Sequence, residues 1–132
     1  MKKLIFNNNT LIVKKDSIVQ KHIKFNGKII AGMYSNFWGN LEAIEIHLGK
    51  NCYVGGLIKC KKAIIGAYTR FNSINAEDVI LLNKCKGNFV KGNNVIVGEN
   101  SKINEIFAEN LLLIGNSRLK RFEARKIVAL KF

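Results

Sequence analysis

The sequence has no proline, a single tryptophan and only two histidines, and each shortage removes a class of explanation. Without proline, tight turns must rest on residues that tolerate positive φ, and eleven glycines with many asparagines supply them. Three cysteines, Cys52, Cys60 and Cys85, form no CxxC pair, and an odd number does not build a disulfide framework. They read as reduced thiols of a cytosolic protein. No apolar run approaches the length that spans a bilayer, and Asn7, Asn8 and Asn9 cut off the signal-like start at residues 1–6. The chain is therefore expected in the cytoplasm. Acidic residues are scarce too, 9 against 22 lysines and arginines, for a formal charge of +13. Such an excess favours an anionic partner or keeps an elongated molecule soluble, and no block of five like charges marks a binding tail.

What the sequence does have is a repeat. Its 132 residues suit one domain, and 48% apolar content is enough to bury a core. Small residues recur at Ala43, Cys60, Ala76, Gly92, Ala108 and Ala124, spaced 17, 16, 16, 16 and 16. Two residues before each stand Leu41, Ile58, Ile74, Val90, Ile106 and Phe122; three after stand Ile46, Ala63, Val79, Val95, Leu111 and Ile127. Five after come Leu48, Ile65, Leu81, Val97, Leu113 and Ala129. Seven before the last four anchors stand Thr69, Cys85, Ser101 and Ser117, all small, and five before them Phe71, Gly87, Ile103 and Leu119.

Steps of two between apolar columns are strand alternation, and a step of three marks a corner. A helix would need a spacing near 3.6 and good helix formers rather than β-branched residues punctuated by glycine and asparagine. The expected fold is all-β, a single-domain parallel β-helix of about 16–17 residues per coil with three short strands and a triangular cross-section. Residues 17–132 are assigned to it, and residues 1–16 to an N-terminal tail or cap. The repeat loosens before residue 40, where Phe25, Gly27 and Ile30 fit one more coil, with Ile18 and Ile23 before it. The stretch from Met33 to Gly39 adds a residue and two large aromatics, Phe37 and Trp38.

One column departs from the rule that apolar side chains point inward. Four residues after the anchors stand His47, Ile64, Ile80, Ile96, Leu112 and Val128, between two inward neighbours. They should form an apolar ridge on a solvent-facing sheet, a surface for protein or membrane contact.

Catalytic groups are not evident. Many β-helices are enzymes, notably acyltransferases forming trimers, but the hexapeptide class has an apolar residue every sixth position, and six does not divide a period of sixteen. That class also favours a histidine base; here there are only His22 and His47, 25 residues apart, and no metal-ligand cluster accompanies them. Cys60 and Cys85 read as core residues, Cys52 as a corner residue that nothing activates. No cofactor, metal or small-molecule substrate is expected. A basic adaptor for an anionic polymer is a further alternative. Lys59, Lys61 and Lys62 form only a small cluster without interleaved aromatics, so nucleic acid is not an expected partner.

The strings Ile74-Asn75-Ala76-Glu77-Asp78-Val79-Ile80-Leu81 and Ile106-Phe107-Ala108-Glu109-Asn110-Leu111-Leu112-Leu113 resemble the repeat of the bactofilins. Val95-Ile96-Val97-Gly98 and Ala63-Ile64-Ile65-Gly66 match its latter part, and the resemblance covers about residues 17 to 130. It departs from the family in having no proline-rich tail. The resemblance implies a right-handed β-helix that polymerises end to end, without nucleotide, into cytoskeletal filaments. The coil ends make the same suggestion, since a cut core and unpaired strands bind another chain unless capped. The expected junction residues are Leu111, Leu113, Phe122, Ile127, Ala129 and Phe132 at the C-terminal end, and Ile18, Ile23, Phe25 and Ile30 at the N-terminal end. The resemblance also implies membrane contact by a short N-terminus, here Lys2, Lys3, Leu4, Ile5 and Phe6, at the inner face of the cell membrane.

Overall fold

The structure, a computed structural model, describes residues 4–131. It is a β-solenoid of stacked parallel coils, and no helix occurs among the described residues. Each coil has three faces. The first is built by β2 (Thr10–Val13), β5 (Lys28–Ala31) and β8 (Glu45–Leu48). The second begins with β3 (Ile18–Val19) and β6 (Asn36–Phe37), the third with β4 (Ile23–Lys24) and β7 (Leu41–Glu42). β9 (Tyr53–Ile65) pairs with β6, β7 and β8 in turn, so this one strand runs along all three faces. β10 (Arg70–Leu81), β11 (Lys86–Val97), β12 (Lys102–Ile114) and β13 (Arg118–Leu130) stack on it in parallel.

The columns expected from the repeat are realised as register partners. Ile58, Ile74, Val90, Ile106 and Phe122 stand rung on rung, as do Ala63, Val79, Val95, Leu111 and Ile127. Apart from the last coil these side chains are buried, because each is covered by its equivalents roughly 4.8 Å above and below. Column neighbours also match in size. A Cβ placed on Gly87 would overlap the ring of Phe71 one coil earlier, so the ring fills the place of the missing side chain.

The corner between the first and second faces is made by a residue in the left-handed region. Asp16, Tyr34, Asn51, Tyr68, Lys84 and Asn100 carry φ values between 56° and 63°. The residue after each is small and buried: Ser17, Ser35, Cys52, Thr69, Cys85 and Ser101. These side chains satisfy buried backbone groups. The Thr69 hydroxyl donates to the Gly49 carbonyl at 3.2 Å and accepts the Cys52 amide at 3.3 Å. Ser101 accepts the Cys85 amide at 3.2 Å, and the Cys85 thiol donates to the Gly66 carbonyl at 3.3 Å. Cys52, read from the sequence as a corner residue, is buried for the same reason: its thiol points inward to the Gly32 carbonyl.

Coil length varies at the other two corners. The left-handed residues are spaced 18, 17, 17, 16 and 16 apart. In the first three coils the step from the second face to the third is four residues, as in Val54 to Ile58, and later it is three, as in Phe71 to Ile74. The first coil has one more residue before its return to the first face, and this moves the expected register. Ile29, not Ile30, is the buried partner of Ile46, and Ile30 points outward beside His47. Nor does the stack start near residue 17. β2 lies inside the expected tail, yet it pairs in parallel with β5 and buries Leu11 and Val13. β1 (Leu4–Asn7) runs antiparallel along the other edge of β2.

Candidate functional site

The three faces differ in what they show to solvent. On the first, the ridge is longer than its sequence signature: Ile12, Ile30, His47, Ile64, Ile80, Ile96, Leu112 and Val128 are successive register partners. The members between Ile64 and Leu112 are half-buried against one another, while Ile30 and Val128 are exposed. His47 interrupts the ridge. Its Nε2 lies 3.0 Å from Glu45 Oε2, a close contact without hydrogen-bond alignment, and Glu45 pairs with Lys28 at 3.3 Å. Burial and then the nearby Lys28 charge hold the imidazole below its usual range, against the pull of Glu45.

The second face carries a file of cations. Arg70, Lys86, Lys102 and Arg118 are successive register partners, continued backwards by Tyr53 and Asn36. All four cations are exposed. Two residues along each strand, Asn72, Asn88 and Asn104 form a ladder in which each later amide donates to the earlier carbonyl at 2.9 Å. Corner residues add Lys84, whose ammonium lies 5.2 Å from the Tyr68 ring centre. The third face is mixed in sign, with Lys24 paired to Glu42 and Arg125 to Glu109.

The two ends are the other candidate surface. At the C-terminal end the inward column residues Phe122, Ile127 and Ala129 are exposed, and both Phe122 and Ile127 keep 45% of their surface in water. Leu111 lies one rung earlier and is buried beneath Ile127; Leu113 is half-buried beneath Ala129. Phe132 lies outside the described residues. At the N-terminal end Leu4, Phe6, Leu11, Ile18, Val19, Ile23 and Phe25 line an apolar concavity. Phe6 leans on Phe25 with ring centres 5.8 Å apart. Ile30 sits one coil away, on the ridge, and takes no part in this end. Of the residues expected at a membrane, Leu4 is half-buried here, Ile5 stands beside Ile12 and Phe6 is exposed, while Lys2 and Lys3 lie outside the described residues.

Reactive groups are not gathered. Burial raises all three thiols, Cys60 to about 12 with help from Glu45, Cys85 to about 11, and Cys52 by direction. They are protonated at neutral pH. His22 spends its Nδ1 on the Asn40 amide at 2.8 Å and directly precedes β4 on the third face, whereas His47 stands on the first. Among the described residues no three His, Cys, Asp or Glu side chains cluster as metal ligands would.

Compared with protein-family models, curated proteins and solved structures, the chain matches none of them.

Proposed function

We propose that the chain is a scaffold protein of bactofilin type that self-assembles end to end, independently of nucleotide. One observation carries this reading: the last coil presents its core column, Phe122 and Ile127 among it, to solvent, while the first coil presents an apolar concavity. Among the described residues β13 has a strand partner on one side only, so its other edge, thirteen residues long, is open to pair with another strand. Burying these ends against a second copy would cover the exposed columns of β13 and the outer edges of β3 and β4, while the outer edge of β2 is already taken by β1. The apolar ridge would then run along the filament as a lateral surface for a neighbouring filament, a partner protein or an anionic membrane.

Charge opposes the junction. β13 holds five cations against Glu123, and the first coil, residues 10–27, holds four against Asp16. Like-charged ends repel unless screened, so assembly should strengthen as salt rises from low to physiological levels. Negative-stain microscopy and sedimentation of the purified chain over a salt series test the proposal. Filaments one solenoid wide are expected, and Phe122→Glu or Ile127→Lys should disperse them while leaving the β spectrum unchanged. Monomers at every concentration and salt would refute it, as would filaments indifferent to both substitutions.

A further inference from the structure

We infer that the second face binds single-stranded nucleic acid laid along the solenoid axis, with the cation file on the phosphates and neighbouring tyrosines offered to the bases. This proposal does not depend on end-to-end assembly, since the whole strip lies on one molecule.

Arg70, Lys86, Lys102 and Arg118 come together only because coils of sixteen residues stack them rung on rung. Neighbours in the file are about 4.8 Å apart, well inside a Debye length of roughly 8 Å at physiological salt, so their potentials add. The fold does not neutralise them. Among the described residues the ion pairs fall on the first and third faces and in β13, and none engages these four side chains. A linear polyanion lying along the axis relieves the repulsion and releases its own counterions.

The aromatics select the kind of polyanion. Tyr53 and Tyr68 adjoin the start of the file with 37% and 50% of their surface exposed. Arg70 stands 5.5 Å over one side of the Tyr53 ring and Lys84 5.2 Å from the Tyr68 ring centre, so a base would take the open side of each. Cations that track a backbone beside rings that accept bases are the two requirements of single-strand binding. A duplex is less suited, because a flat parallel sheet offers neither a helix nor a ribbon to enter a groove. An anionic lipid surface is less suited as well. It spreads charge in two dimensions, whereas these cations stand in single file.

The test is fluorescence anisotropy of a labelled oligothymidylate titrated with the full chain over a salt series. The double variant Lys86→Glu/Lys102→Glu should weaken binding at least about tenfold and lower the salt slope by about 1.4, two single-strand phosphate contacts. Lys59→Glu/Lys91→Glu makes the same change of charge in one file of the third face and should stay within about twofold. Tyr53→Ala/Tyr68→Ala should weaken the oligothymidylate and leave heparin, a polyanion without bases, unaffected. Equal losses from the two lysine pairs would overturn the assignment, because net charge alone would then explain binding. So would failure to bind the oligonucleotide, or tighter face-dependent binding to phosphatidylserine vesicles than to the oligonucleotide.

Discussion

The first three coils and the later ones share their strand columns and differ consistently at the corner between the second and third faces. In the later coils that corner has three steps and the backbone stacks evenly, which leaves Asn72, Asn88 and Asn104 free to bond to one another. In the earlier coils it has four, and the added residue takes backbone amides out of the ladder. Side chains replace the lost acceptors: His22 Nδ1 receives the Asn40 amide and Asn40 Oδ1 the Leu57 amide, both at 2.8 Å. Gly55 and Gly56 make the last of these wide corners, and a Cβ on Gly56 would overlap Asn40 Oδ1. Coil length is thus decided at corners, while the strands that hold the core stay the same. The regular half carries the cation file; the wider half carries exposed aromatics, among them Trp38 and Tyr34.

The largest expected effect breaks the regular half. Gly87→Val should destabilise by about 3 kcal/mol through overpacking against the Phe71 ring. Phe71→Val alone should cost a similar amount by leaving a cavity. Together they should recover most of the loss, and a double-mutant cycle by chemical denaturation measures that coupling. Additive losses would mean that the two side chains do not share one space.

A smaller effect separates the halves directly. Asn40→Ala takes the acceptor from the half-buried Leu57's backbone amide and should cost about 1 kcal/mol. Asn88→Ala removes two side-chain bonds on an exposed ladder, where water replaces them, and should cost about 0.5 kcal/mol. Equal losses in thermal melts would erase the distinction between a structural and a decorative asparagine.

The smallest effect is a dependence on pH. His47 titrates below its ordinary 6.5 in the folded chain, so the unfolded chain takes up its proton first on acidification. Stability should therefore fall as pH drops through about 6.5 towards the lowered value, and be unaffected above it. His47→Ile completes the ridge and should flatten that decline; melting curves between pH 7 and pH 5 would record it.

Much of this was legible in the sequence where the period was regular. From Cys60 onward the columns, the small corner residues and the ridge follow from spacing alone. Ile30 was misplaced because an extra residue in the first coil shifts its face, and Ile12 was missed with it. The cation file left a signal, since Arg70, Lys86, Lys102 and Arg118 each stand six residues before an anchor. A search for clusters contiguous in the chain passes over it, and finds Lys59, Lys61 and Lys62 instead.

By itself the sequence determined the strand alternation, the sixteen-residue step and, in the regular coils from Ala63 to Leu111, which side chains are buried, because a period of two fixes the side of the sheet that each residue takes. Only the closed coils decided which outward residues stand in line. Corner lengths are set when the backbone returns upon itself, and stacking then brings residues sixteen to eighteen positions apart to rung distance. A composition rich in lysine and empty of proline thereby became one face with a file of cations and one with an apolar ridge.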